Sequence, residues 1–140
     1  MKNTRFICYG SSLKNLKMSI KYEVIGLRKP MNISGEDLLY LVCKLDNAWN
    51  ICGKACIGEI TDENPFDEPE KYYTYKMNNI TLCEPFAISE LCSKHCGQYW
   101  GLMFQRPGLI KNEELLAEFE NKFATVDEQK FKKCIAKYEA

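Results

Sequence analysis

Cysteine and histidine are the residues of this chain whose chemistry could serve a metal site. The chain has eight cysteines and one histidine, and segment 92–96 carries Cys92, His95 and Cys96. On a helix, Cys92 and Cys96 would share one face, so they could bind a metal ion if further ligands converged. Cys52 and Cys56 lie in a strand pattern, where residues four apart are ~13 Å apart and cannot share one zinc ion. We therefore expect no metal site, no cofactor, and cysteines that pack as small apolar residues.

Catalysis by a thiol is the second chemistry that these residues allow. A nucleophile pair needs both side chains within hydrogen-bond reach, and Cys92 is the better partner of His95. No acid that would orient the imidazole is evident in the sequence. The patterns GxxxxGK[ST], GxGxxG and HExxH are all missing from the sequence. We expect a protein that is not an enzyme, with a small enzyme using Cys92 and His95 as an alternative.

Aromatic and basic residues indicate a different chemistry, the stacking of nucleobases. Residues 1–30 carry seven basic residues and one acidic residue, whereas residues 59–70 carry six acidic residues and no lysine or arginine. This segregation predicts one positive surface, suited to phosphates. Two or three of nine aromatic residues are expected to face a ligand, while the others form the core. The nine are Tyr9, Tyr22, Trp49, Phe66, Tyr72, Tyr73, Tyr75, Tyr99 and Trp100.

The cellular location is predicted from the lack of long apolar runs in the sequence. The N-terminal residues lack the apolar run of a signal peptide. No apolar stretch approaches the ~18 residues that a membrane helix needs. We expect a cytoplasmic protein with no membrane partner and with reduced cysteines.

The elements that must position these residues begin with short strands and one helix. Arg5–Tyr9 and Tyr22–Leu27 are predicted strands, with a helix over Leu13–Met18 that a serine caps. Met31–Asp37 is a predicted loop, and Leu38–Lys44 is an apolar run typical of a strand covered on both faces.

A long central strand starts at Trp49 after an Asp46-Asn47 turn. One predicted face carries Trp49, Ile51, Gly53, Ala55 and Ile57, and the other carries Cys52, Cys56 and Ile60. An acidic loop over Thr61–Glu70 and a return strand over Tyr72–Met77 complete a hairpin. Ile80–Cys83 continues or repeats a strand.

Helices dominate the remaining chain. Predicted N-caps are Ser89 for a helix through Cys96, Asn112 for a helix over Glu113–Phe123, and Thr125 for the last helix. The last helix presents an apolar face of Phe131, Cys134, Ile135 and Tyr138. Strands followed by helices predict an α+β domain built on a bent sheet or barrel.

Seven motifs in a fixed order carry a family resemblance. They are Arg5–Ser12, Ile25–Arg28, Ser34–Val42, Cys56–Ile60 with its Asp/Pro loop, Tyr73–Lys76, Trp100–Phe104 and Gly108–Ile110. In this order the chain resembles the EVE family, a branch of the PUA-like folds related to the YTH readers of methylated adenine. The resemblance implies a PUA-like bent mixed β-barrel flanked by short helices over residues 1–125. Residues 126–140 are then a C-terminal amphipathic helix that packs on the barrel or leads to a further domain.

The resemblance also implies a pocket for a flipped or modified base. It places Tyr9, Ser11, Gly26 and Arg28 in that pocket. Family members often carry tryptophans where this chain has Leu13 or Leu16 and Ile25, so Tyr9, Tyr22 or Trp49 are expected to supply the walls. From position and chemistry, the remaining candidates are Trp49, Tyr22 and Asp62 for the base and Lys14, Lys17, Lys21 and Lys29 for phosphates.

The expected partner is nucleic acid, either DNA or RNA, in methylated or unmethylated form. Similar PUA-like domains stand at the N-termini of McrB-type modification-dependent restriction proteins, so further domains of a larger restriction protein are also implied. The alternative is a protein-interaction module without nucleic-acid binding, in which the last helix or the acidic loop contacts a protein.

Overall fold

The computed structural model describes residues 3–30, 37–104 and 108–139 and shows a mixed α+β fold. The strands are β1 (Thr4–Cys8), β2 (Val24–Leu27), β3 (Leu38–Leu45), β4 (Ala48–Ile60), β5 (Tyr73–Ala87) and β6 (Thr125–Val126). The α-helices are α1 (Leu13–Tyr22), α2 (Ser89–Cys96), α3 (Glu113–Lys122) and α4 (Glu128–Ala136). Short 3-10 turns cover Pro69–Lys71 and Trp100–Phe104. Within the described segments, every helix is too short or too polar to cross a membrane.

The strands form one curled sheet in the order β1-β3-β4-β5-β2, with β6 beside β5. Only the β1–β3 pair is parallel among these ladders. In the part of the chain that the structure describes, no ladder joins β1 to β2. The predicted α+β class is therefore confirmed, but the bent sheet is a half-barrel that stays open between these two edge strands.

The central position of β4 is confirmed, but its two faces differ from the predicted alternation. Pairing with β3 and β5 shifts register around Cys52, so Cys52 is an extra residue in a β-bulge. Ile51 consequently packs on one side of the sheet, while Cys52 and Ala55 both pack on the other. The assignment of Ile51 and Ala55 to one face was wrong because the sequence pattern does not reveal the bulge.

Helix α1 shows the predicted N-cap but runs further than predicted. The Ser12 side chain accepts a hydrogen bond from the Asn15 N–H at 3.2 Å. The helix ends at Glu23, which adopts a left-handed conformation with φ of 56° and donates its N–H to Ser19. The predicted start of β2 at Tyr22 was therefore wrong, since Tyr22 is the last helical residue.

Three other boundaries differ from the predictions. The predicted strands Tyr72–Met77 and Ile80–Cys83 are parts of one continuous strand, β5. Asn79, with φ of 55°, lies inside it. Ile88 is the N-cap of α2 and Ser89 is its first residue, whereas Asp127 rather than Thr125 caps α4. Asn112 caps α3 as predicted. The predicted loop Met31–Asp37 lies outside the described residues except for Asp37, and so does Lys2.

Two apolar clusters cover opposite faces of the sheet. The inner cluster draws residues from β1, β2, β3, β4 and β5, and Leu16 of α1 and Phe131 and Ile135 of α4 fill its centre. The outer cluster places Leu115 and Phe119 of α3 and Cys92 of α2 against the other face. The apolar face predicted for the last helix is confirmed, because both Phe131 and Ile135 are buried.

A polar network fixes α3 on the outer face. The Tyr40 hydroxyl donates to Glu120, and the Lys54 ammonium lies 2.7 Å from the same carboxylate. Burial alone would raise the pKa of Glu120, but the hydrogen bonds from Lys54 and Tyr40 outweigh it and lower the pKa below 4.5. The ionised carboxylate is therefore the form that holds the helix.

Replacing Glu120 by glutamine is expected to lower the free energy of unfolding by about 1 kcal/mol at neutral pH, because the pair is partly exposed and screened. A depressed folded-state pKa gives stability that is present above the usual value of 4.5 and is lost as pH falls through the folded-state value. Thermal unfolding should thus show a smaller difference between variant and wild type in acid. Glu59→Gln, an exposed carboxylate of β4, is the control. Equal losses for both variants at neutral pH would contradict this role of Glu120.

Candidate functional site

A cavity of about 770 Å³ lies in the gap between the edge strands β1 and β2. This volume is within the range of small-molecule sites. Its lining comprises Phe6, Ile7, Cys8, Tyr9 and Gly10 at β1, Asn15 on α1, residues 26–30 at β2, Phe66 on the acidic loop, Tyr72 just before β5, and Phe104. Every wall is thus built by a different element that meets at the open seam of the half-barrel.

The first wall is the end of β1, where the backbone is polar and exposed to the cavity. In the parallel ladder, Tyr9 donates its N–H to Val42, while Phe6 donates outward to Gly108. Alternation along the strand therefore turns the N–H and C=O of Cys8 away from β3 and toward the seam. Gly10 follows with φ of 59°, a conformation that favours glycine, and redirects the chain into α1.

Asn15 is the polar side chain that this turn brings to the cavity. Its backbone N–H is used by the Ser12 cap, but its side-chain Oδ1 is buried and has no hydrogen-bond partner. Among the described residues it is the only buried side-chain polar atom in this condition. An unsatisfied buried acceptor costs about 1–3 kcal/mol, so this oxygen is an acceptor that a group entering the cavity could use.

The opposite wall is β2, where Gly26 exposes its backbone. Met77 donates its N–H to Glu23 at 2.7 Å, and the antiparallel register pairs Ile25 with Tyr75. Gly26 therefore lies opposite Thr74 in a pair that is not hydrogen-bonded. Its N–H and C=O consequently point away from β5, into the seam. A Cβ at Gly26 would lie 2.9 Å from a Phe66 ring carbon, so glycine is required for the close approach of that ring.

Aromatic rings stand at both ends of the cavity. Phe66 and Tyr72 pack with ring centroids 5.4 Å apart, and Phe6 packs edge-on against Phe104 at 5.1 Å. Asn64 stabilises the first pair, because its amide donates to the Tyr72 carbonyl at 3.3 Å and its Oδ1 accepts from the Phe66 N–H at 3.4 Å. The rings are therefore held by the loop's own hydrogen bonds.

The charged side chains near the cavity mouth include two exposed cations and one ion pair. Arg28 and Lys29 are exposed and belong to the lining. Lys14, one residue before Asn15, forms an ion pair of 2.9 Å with Asp67, one residue after Phe66. The N-terminal turn of α1 and the acidic loop are thereby linked across the opening.

Four predicted site residues belong to this lining: Tyr9, Gly26, Arg28 and Lys29. The Tyr9 hydroxyl donates to Ser19 at 2.8 Å, and burial raises the pKa of Tyr9. Tyr9 therefore contributes its ring to the wall, while its hydroxyl is used inside the protein.

The other predicted base-binding residues lie outside the lining: Ser11, Tyr22, Trp49 and Asp62. Trp49 packs on the outer face against Phe104 at 4.8 Å, so it supports a wall instead of forming one. Of the predicted phosphate ligands, Lys14 pairs with Asp67, Lys17 pairs with Glu139, and Lys21 lies over the Tyr22 ring. Their roles in binding stay predictions.

In the described part of the chain, the surroundings of Cys92 do not favour the thiol alternative. Cys92 is buried, and burial raises its pKa to about 12, which disfavours the reactive thiolate. His95 does have an acid beside it, Glu118, which the sequence did not reveal because it lies on α3. Within residues 3–30, 37–104 and 108–139, no three His, Cys, Asp or Glu side chains are grouped to hold a metal ion.

Sequence reasoning missed Asn15 and Phe104 and did not separate Phe66 and Tyr72 from the other aromatic candidates. Phe66 lies between two Pro-containing turns, and an apolar ring in an otherwise acidic loop was an available signal. Asn15 carried no such signal, because an asparagine on the first turn of a helix is ordinary. Only the three-dimensional position of Asn15 reveals its missing partner.

Comparisons with known proteins identify the fold. No protein-family model matches the chain, and no curated protein is significantly similar in sequence. A solved structure, the Pho92 YTH domain in complex with m6A, matches with a TM-score of 0.60 and 15% identity, over 90% of this chain and 88% of that one. The chain therefore has a fold similar to a YTH domain.

Replacing Asn15 by leucine is expected to raise the free energy of unfolding by about 1 kcal/mol, because the variant removes a buried acceptor without a partner. Urea unfolding measures the change. Asn50→Leu is the matched control and should be destabilising, since the Asn50 amide donates to Ala48 at 2.9 Å. Asn121→Leu, exposed on α3, measures the part due to helix propensity. A loss of stability in Asn15→Leu would show that this side chain is satisfied in the free protein.

Proposed function

We propose that this chain is a non-catalytic reader that binds a nucleobase, extruded or single-stranded, in the cavity between β1 and β2. The observation that carries the proposal is the buried, unpartnered Oδ1 of Asn15 beside the aromatic residues that line the same cavity. An asparagine side chain offers both an acceptor and donors, which is what the edge of a base requires.

The polar groups around Asn15 fit the edge of a base. The backbone N–H and C=O groups of Cys8 and Gly26 face the seam from its two sides, by the alternation of their ladders. Together with the Asn15 side chain they give the cavity lining both hydrogen-bond donors and acceptors. Such a set can distinguish bases by their hydrogen-bonding edges.

The apolar walls supply the second requirement, which is stacking. Phe66, Tyr72 and Phe104 belong to the lining, and the fully buried Phe6 supports Phe104 from behind. Stacking contributes about 1–3 kcal/mol per base. A methyl group on the base would be buried against these apolar walls, and burial of apolar surface is favourable.

Exposed cations at the mouth suit the sugar–phosphate backbone that an inserted base brings with it. Arg28 and Lys29 are at the rim, and they would make the affinity salt-dependent. The similar fold of the Pho92 YTH domain, solved with m6A, supports methylated adenine as the first ligand to test.

The finer assignments are proposals of the same kind. We place the domain with the PUA-like and EVE readers, acting in the cytoplasm on DNA or RNA, and a larger restriction protein is one setting for it. The alternative of a protein adaptor that uses the apolar face of α4 is not favoured, because Phe131 and Ile135 of that face are buried.

Tyr72→Ala should weaken binding of an m6A oligonucleotide by about 5- to 150-fold, because it removes a stacking wall worth about 1–3 kcal/mol. Asn15→Ala should weaken it as well and reduce discrimination between bases. Tyr73→Ala is the matched control, since Tyr73 is the next residue, half exposed, and not part of the lining.

Fluorescence anisotropy with methylated and unmethylated DNA and RNA, at several salt concentrations, measures these affinities. Equal effects of Tyr72→Ala and Tyr73→Ala, or no binding of any oligonucleotide at low salt, would reject the proposed reader function.

A further inference from the structure

We propose that Lys130 and Lys133 of α4, with Lys137 at its C-cap, form a second contact surface, the α4 lysine row, which binds phosphates of the nucleic-acid strand that flanks the inserted base. This inference rests on the proposed function. It adds a site at some distance from the cavity and names its ligand as the sugar–phosphate backbone.

Helical spacing places the three lysines together. Positions 130, 133 and 137 are separated by three and four residues, so they lie on one side of the helix. All three are exposed. The acidic Glu128 projects about 160–200° away from Lys130 and Lys137 around the helix axis, and it lies 3.7 Å from Lys132 instead.

The orientation of the row is fixed by the core. Phe131 is 2% exposed and Ile135 is fully buried in the inner cluster, so α4 cannot rotate about its axis. The Asp127 side chain caps the helix by accepting the Lys130 N–H at 2.7 Å. The lysine row therefore faces solvent, because the opposite side of α4 is buried.

The lysines of the row differ from those of α1 because they are not paired with carboxylates. Lys14 and Lys17 each face a carboxylate, at 2.9 Å on Asp67 and 3.1 Å on Glu139. Among the described residues, no carboxylate lies within ion-pair distance of the three lysines of the row. Lys137 does lie over the Tyr138 ring, 5.1 Å from its centroid, but this contact leaves its positive charge unneutralised. The charge of the row is thus available to an external anion.

Helix α1 lies between the cavity and the row. The Lys17–Glu139 ion pair joins α1 to the segment that follows α4, and Glu139 is two residues after Lys137. Asn15, at the cavity, is two residues before Lys17, so the two side chains project about 160° apart around α1. A strand that leaves the cavity therefore has to cross α1 to reach the α4 lysine row.

Nucleic acid fits this surface better than an anionic membrane does. A helix that binds a membrane inserts an apolar face beside its lysines. The apolar face of α4 is used in the core, so only charge is presented to the partner.

The test compares wild type with the triple variant Lys130→Gln, Lys133→Gln, Lys137→Gln. The probes are an m6A trinucleotide, which occupies only the cavity, and a single strand of about twelve nucleotides, which reaches ~40 Å. The matched control is Lys76→Gln, Lys111→Gln, Lys122→Gln, which removes the same charge from exposed lysines elsewhere.

We expect the row variant to bind the long strand up to about a hundredfold more weakly at moderate salt and to lower the slope of log K against log salt by about 2, with the trinucleotide affinity unchanged. A control variant that loses as much, or a row variant that binds the long strand like wild type, would overturn the inference. Loss of binding to phosphatidylserine vesicles alone would overturn it as well. Failure of Tyr72→Ala to weaken the trinucleotide would instead reject the cavity, so the two proposals fail separately.

Discussion

The structure depends on one constraint, which is that β1 and β2 are edge strands of a curled sheet that do not pair with each other. Unpaired backbone groups in a protein interior are costly. The segment 108–110 satisfies the lower half of β1, where Phe6 donates to Gly108 and Ile110 donates to Thr4. Beyond that point the backbone of Cys8 and, across the gap, that of Gly26 face a cavity. A ligand with a planar polar edge is what would complete the sheet there.

The gap stays open because the elements beside it are held apart. The buried carboxylate of Asp37 fixes the start of β1, since it accepts the Asn3 N–H at 3.1 Å and lies 3.1 Å from the Arg5 guanidinium. On the other side, Phe66 fills the space above Gly26 and prevents β2 from moving inward. Both edges of the gap are thus packed against protein without a ligand, which agrees with a site formed before its ligand binds.

Local patterns predicted much of the fold, and tertiary contacts explain the remainder. The apolar run of β3, the central β4, and the caps Ser12 and Asn112 follow from nearest neighbours in sequence. The bulge at Cys52 does not, because it arises from pairing with two strands at once. The same holds for the site. The sequence predicted four residues that lie at the cavity, namely Tyr9, Gly26, Arg28 and Lys29. It could not predict Asn15, because the missing hydrogen-bond partner of its Oδ1 is a property of the folded chain.

The ion pair between Lys14 and Asp67 has a consequence for how fast the cavity fills. Both side chains are more than half exposed, so the pair contributes only about 0–1 kcal/mol and is further screened by salt. A bridge this weak breaks and reforms on the timescale of side-chain motion. It can orient the acidic loop in the protein, and under the proposed function a phosphate would replace Asp67 on Lys14 without a slow opening step. Encounter with the strand, and not movement of the loop, would then set the association rate.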